Sequence, residues 1–138
     1  MTRAVKFTAT SKQVTFYSDF GPNLDLNPIT AQIAVATNEN AVGQALKGLI
    51  LTNIGERFYH PEIGSKVQGL NFEPNDESTL ELLKTTITQT INNCEPRVQL
   101  QDLQVKQDID HNAIYITIFY SLINITGTFK TVVPIRVR

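Results

Sequence analysis

The stretch LELLKTTITQTINNCEPRVQL, residues 80–100, holds the junction from which the rest of the fold can be read. Leu80, Leu83, Ile87, Ile91 and Cys94 recur at intervals of three and four, the spacing of an apolar stripe along a helix. Asn75 or Asp76 stands at the N-cap, and acids fill the first turn, where they complement its free N–H groups. Glu95-Pro96-Arg97 ends this helix, because proline has no N–H to donate and pushes its predecessor out of the helical region. Turn chemistry does not account for the flanking pair. A carboxylate and a guanidinium beside a rigid kink can make geometrically specific, charge-assisted hydrogen bonds, with each other or with a partner's charges. Cys94, on the apolar stripe, reads as a small hydrophobe facing the core rather than a reactive thiol.

Beyond the elbow, three strand-like runs follow. Val98 and Leu100 alternate, then Leu103, Val105 and Ile109 continue on a shifted phase, which predicts a bulge near Gln101-Asp102. Asp110-His111-Asn112 makes a turn. Ile114, Ile116, Ile118, Tyr120 and Leu122 form the clearest strand, and Tyr115 with Phe119 predicts burial on its other face too. Asn124 to Gly127 turns the chain again into a last strand carrying Phe129, Val133, Ile135 and Val137. Pro134 places that strand at a sheet edge.

Towards the N-terminus, Glu56 to Phe72 lacks a helical period and reads as a structured crossing loop with a short strand. Before it, a first helix starts near an Asn38 N-cap, with Val42, Leu46, Leu49 and Ile50 on one face. Gly43 and Gly48 weaken it, and Gly55 is expected to supply a left-handed C-terminal turn. Asp19 to Thr37, punctuated by Gly21-Pro22 and Asn27-Pro28, reads as loop, preceded by an extended arm over Ala4 to Tyr17. The expectation is an α+β domain at 38–138, two helices packed on one face of a mostly antiparallel sheet, with an N-terminal arm and loop at 1–37.

The chain's 138 residues suffice for one sizeable core. A formal net charge of −1 argues against a nucleic-acid partner, which calls for a basic excess. Charge is nonetheless segregated. Glu73 to Asp110 holds eight acids against Lys84, Arg97 and Lys106, whereas the only charges before Asp19 are Arg3, Lys6 and Lys12, and those after His111 are Lys130, Arg136 and Arg138. Edge protection explains basic terminal strands, and so does complementarity to another chain. A single cysteine rules out an intrachain disulfide and suggests a reducing compartment. Neither a signal peptide nor a run long enough to span a bilayer is visible, so no membrane partner is expected, and Asn124-Ile125-Thr126 reads as turn chemistry rather than a glycosylation site.

Gly55-Glu56-Arg57-Phe58-Tyr59-His60-Pro61-Glu62-Ile63-Gly64, a second helix and then Glu95-Pro96-Arg97 form a recognisable order. From about Asn40 to Arg138 the chain resembles the baseplate-wedge family of contractile phage tails, often labelled lysozyme-like, with relatives in the baseplate of type VI secretion systems. Tyr17-Ser18-Asp19 looks like that family's usual start. The resemblance implies a structural, non-enzymatic component of a virion tail baseplate, assembled in the host cytoplasm, that initiates the contractile sheath. It implies partners among the wedge core-bundle proteins, the tail sheath subunit and other inner baseplate or tail-tube proteins. Glu95, Pro96 and Arg97 match the signature implied to contact the core bundle. The final strand, edge-like and basic, is the candidate for strand exchange with sheath, through Phe129, Lys130, Val132, Arg136 and Arg138.

A hydrolase would instead need two carboxylates flanking the scissile bond, one with a raised pKa, and Glu56, Glu62 and Glu73 are the nominees. Each is equally explained as a loop acid. His60 with Glu62, and Asp108, Asp110 with His111, lack zinc spacing and read as turns, and no phosphate-binding loop or nucleophile signature occurs. No metal or cofactor is expected.

Overall fold

The computed structural model describes residues 14–70 and 76–136. In chain order it contains β1 (Ser18–Phe20), β2 (Val35–Thr37), α1 (Glu39–Leu51), the one-turn α2 (Val67–Leu70), α3 (Glu77–Cys94), β3 (Val98–Asp108), β4 (Ala113–Leu122) and β5 (Ile125–Arg136). Asp76 caps α3, its carboxylate accepting from Thr79 N at 2.9 Å. The periodic stripe does the packing: Leu83, Ile87 and Ile91 are fully buried, against Val42, Leu46 and Ile50 of α1 and Ile114, Ile116 and Ile118 of β4. Cys94 lies half-buried at the margin of that core rather than inside it.

The main sheet has the order β3-β4-β5, both pairs antiparallel, with α1 and α3 on one face. The fold is the α+β arrangement that the sequence predicts. A register shift between Leu100 and Asp102 is the expected bulge. Burial alternates strictly along the second half of β5, with Thr131, Val133 and Ile135 buried and Lys130, Val132, Pro134 and Arg136 exposed. Tyr115 corrects an expectation, whereas Phe119 is half-buried. They lie on the opposite face, which no described element covers, and Tyr115 is 38% exposed. Alternation alone could not reveal whether a second layer exists.

Other differences are local. The segment 19–37 is not loop throughout: β1 pairs with β2, and a Leu26–Ile33 bridge extends the hairpin. Its Pro and Gly residues disguise an alternation of Phe20, Leu24, Leu26, Ile33 and Val35. The crossing loop contains α2 and an isolated parallel Asn53–Ser65 bridge instead of a strand. Asn38 occupies the N-cap position of α1 without capping it, and Thr52, in extended conformation, ends that helix before Gly55. Gly55 has φ +88 in the turn that follows. The turn before β5 consists of Ile123 and Asn124, so this strand starts four residues before Phe129. The arm before Val14, Asn75, and Val137 with Arg138 lie outside the described residues.

The two glycines of α1 have opposite reasons to exist. A Cβ on Gly43 would stand 3.2 Å from the Tyr120 hydroxyl and 3.4 Å from Thr131 Oγ1, so this glycine seats α1 on the sheet. A Cβ on Gly48 would meet nothing within 4 Å. Gly48→Ala is therefore expected to raise stability by about 0.5–1 kcal/mol through helix propensity alone, measured by urea unfolding. A loss of stability would show that Gly48 carries a constraint beyond helix propensity.

Candidate functional site

Two features could meet a partner: the elbow at 95–97 and the free edge of β5. Glu95 ends α3, its N–H donating to Ile91 O at 2.9 Å, and Val98 N donates back to Glu95 O at 3.3 Å. Pro96 fixes the corner between them, holding the side chains of Glu95 and Arg97 together. Arg97 Nε donates to Glu95 Oε1 at 2.6 Å and Nη2 to Oε2 at 2.6 Å, a two-point bridge. Glu95 is 7% exposed, while the Arg97 side chain keeps 39% of its surface. The hydrogen bond to Glu95 holds the guanidinium above its ordinary pKa against the opposing effect of burial.

Arg97 is also engaged by Tyr17, for its Cζ lies 5.4 Å from the centre of the Tyr17 ring, a cation–π contact. Tyr17 is in turn fixed by the chain around it. Its hydroxyl accepts from Asn124 Nδ2 at 3.1 Å, and its carbonyl accepts from Asn38 N at 2.8 Å. The Asn38 side chain accepts from Phe16 N at 2.9 Å and donates to Val14 O at 3.0 Å. This bonding explains why Asn38 does not cap α1 and why it tolerates φ +49, a region asparagine enters readily. Sequence reasoning marked Tyr17 only by resemblance and missed the tethering role of Asn38, which no local periodicity signals.

The elbow is thus an internal brace joining α3, β3, the segment 14–17 and the turn before β5. Its outer side opens on a cleft of about 610 Å³ that also bears Asp19, Lys47 and Arg57. Arg97→Ala is expected to cost about 2–3 kcal/mol in urea unfolding, because it strands the buried Glu95 carboxylate. The value falls short of a fully buried pair's because the guanidinium is partly solvated. A change under about 0.5 kcal/mol would mean that the bridge is energetically idle.

At β5 the proline settles which backbone groups are free. Pro134 has no N–H for β4, so its position turns the amide outward, as edge-strand prolines do. Residues two apart share that direction, so the N–H and C=O groups of Thr128, Lys130 and Val132 also face away from β4. The closing pair Leu122–Ile125 of the two-residue turn leads to the same parity. Among the described residues nothing pairs with this edge. The five residues nominated for exchange therefore divide. Lys130, Val132 and Arg136 carry outward backbone groups and side chains on the open face. Phe129 points inward against Tyr120, ring centres 6.1 Å apart, and Arg138 lies outside the described residues.

The two described hydrolase nominees, Glu56 and Glu62, each bond within their own loop. Glu56 Oε2 accepts from Asn53 N at 2.9 Å and closes its own loop. Glu62 lies 3.1 Å from His60 Nδ1, and a backbone hydrogen bond, then His60, holds its carboxyl below the ordinary value. A general acid needs the opposite shift. Glu73 falls outside the described residues. Asp108 accepts from both the backbone and ring nitrogens of His111, at 3.3 and 2.9 Å, as a turn brace. Among the described residues no group of three or more His, Cys, Asp and Glu side chains could hold a metal, and no helix is long and apolar enough to cross a membrane.

The family model for baseplate wedge protein gp25 matches residues 36–126. No curated protein sequence matches the chain. Several solved structures share its fold. A Geobacter sulfurreducens protein described as a tail lysozyme is 20% identical, with a TM-score of 0.71 over 76% of this chain and 96% of its own. A chain of the anti-feeding prophage baseplate is 24% identical, TM-score 0.67, over 79% and 87%. A chain of the pyocin R2 baseplate in its post-contraction form is 17% identical, TM-score 0.56, over 71% and 96%.

Proposed function

The chain belongs to the baseplate wedge protein gp25 family, and we propose that within a contractile tail it joins the wedge and starts the sheath by strand addition. A structural role in the baseplate follows from the family; the mode of action is our reading. The observation that carries it is the outer edge of β5, where Thr128, Lys130 and Val132 offer consecutive outward backbone groups with no partner among the described residues. A sheath strand laid there would extend the antiparallel sheet, main-chain bonds supplying affinity and alternate side chains supplying selectivity.

The elbow plays a supporting part in this reading. Glu95 is consumed by Arg97, so a core-bundle partner would meet the rigid corner and the remaining face of the guanidinium rather than two free charges. Glycoside hydrolysis is not favoured, since the Glu62 carboxyl is held below its ordinary value, where a general acid needs it raised. A secretion-system baseplate would use the same edge in the same way, and neighbouring genes distinguish it from a phage tail or tailocin.

The test is electron cryomicroscopy of the assembled particle. The expected map shows the chain in the inner baseplate with β5 continued by a strand of the first sheath ring. A map in which β5 is covered by residues 1–13 of the same chain, with sheath attached elsewhere, overturns the reading. Deleting Phe129–Arg138 is not a clean substitute, because it removes the buried Thr131, Val133 and Ile135.

A further inference from the structure

We infer that the edge of β5 selects a strand of particular chemistry: modest apolar side chains on its inner face and carboxylates on its outer face. This inference rests on the strand-addition reading. α1 overhangs the free edge, and the trough between them, about 550 Å³, is lined by Pro22, Ala36, Gly43, Lys47, Phe129 and Thr131 among others. A strand added at the ordinary spacing from β5 sends alternate side chains into this trough and onto the open sheet face. The inner positions meet an aromatic floor, where Tyr120 is 1% exposed with its hydroxyl donating to Glu39 O at 3.2 Å. Their walls include Pro22, Ala36 and Gly43, with the polar Asn40 and Gln44 and the charged Glu39 and Lys47 beside them. Small or branched apolar residues fit against the apolar part of such a lining.

The outer positions meet a different surface. Along β5 the open face presents Thr128, Lys130, Val132, Pro134 and Arg136, and the β4 residues beside them, Tyr115, Thr117, Phe119 and Ser121, carry no charge at neutral pH. Lys130 and Arg136 have no ion-pair partner among the described residues, nor does Lys47 at the rim of the trough. Among the described residues Glu39 is the one acid lining the trough, and Asp19 shares the neighbouring cleft with Lys47. The chain's own first residues carry Arg3, Lys6 and Lys12, the same sign as the edge. Charge complementarity therefore favours an acidic partner strand over self-pairing. Pro134 adds a register: the ladder is continuous opposite Thr128 to Val132 and interrupted beyond. One carboxylate then lies opposite Lys130, and another reaches Arg136 about 20 Å further along.

Fluorescence anisotropy of the full-length protein with two labelled peptides, one alternating valine with glutamate and one valine with lysine, tests this. At low salt the glutamate peptide should bind at least about tenfold more tightly, a preference that shrinks as salt screens the charges. Lys130→Glu with Arg136→Glu should reverse the order, and Val132→Pro should abolish binding of both. Equal binding of the two peptides, lost in Val132→Pro, overturns the charge selection and leaves strand addition standing. Binding that survives Val132→Pro overturns strand addition as well. Binding that is absent from the intact chain, or appears only once residues 1–13 are removed, assigns the trough to the chain's own arm and overturns the inference.

Discussion

Val132→Pro should leave the subunit folded and able to join the baseplate, yet reduce sheath nucleation to background. Val132 shares the outward parity of Pro134, so a proline there removes an N–H that the β4 ladder never uses. Its side chain is 39% exposed on the open face, and the stability lost should stay within about 1 kcal/mol. The consequence for an incoming strand is larger. With prolines at 132 and 134 the free edge keeps outward donors only at Thr128, Lys130 and Arg136, and its continuous ladder is gone. Val133→Pro is the contrasting control. Val133 is fully buried and pairs with Ile116, so that variant should lose about 3 kcal/mol or more and fail to fold or incorporate. Counting sheathed tails by negative-stain microscopy, with the variant's incorporation checked on purified baseplates, separates the outcomes. Normal sheath on Val132→Pro baseplates would remove β5 as the nucleating edge. Unfolding of Val132→Pro would refute the parity drawn from Pro134.

Gly64→Ala is expected to be the most destabilising single methyl addition among the described glycines. Gly64 has φ +149, where side chains are strained, and a Cβ would stand 2.8 Å from both Asn53 C and Thr52 O. Both obstacles are backbone and are fixed by neighbouring bonds: Ser65 N donates to Thr52 O at 2.8 Å, and Ser65 Oγ donates to Ile50 O at 2.6 Å. Relief of the clash must therefore open the junction between the crossing loop and the end of α1, which leads into the buried Val67. Strain and clash together amount to about 3 kcal/mol, to be read as a lowered urea midpoint. Gly69→Ala, with nothing within 4 Å, should be nearly neutral. If the two variants unfolded at the same midpoint, the close approach at Gly64 would carry no energetic weight.

Much of this architecture is legible without coordinates. The stripe from Leu80 to Ile91, the stop at Pro96, the phase shift after Leu100 and the edge proline at 134 are local signals, and each has its counterpart in the structure. They are legible because helix period, strand period and proline geometry act over a few residues. The hairpin at 18–37 was hidden for the converse reason: its pairing joins residues many positions apart across prolines and glycines.

Local signals along the chain suffice for the α+β class, the elements of the core, the elbow's position and the edge placement of the last strand, since these depend on sequence neighbours. Three-dimensional packing alone establishes that Glu95 and Arg97 satisfy each other, that Asn38 anchors the segment before β1, and that no described element covers the far face of the sheet. It also decided where Gly43 and Gly64 are indispensable. These outcomes depend on distances between groups remote in sequence, and composition and periodicity carry no measure of such distances.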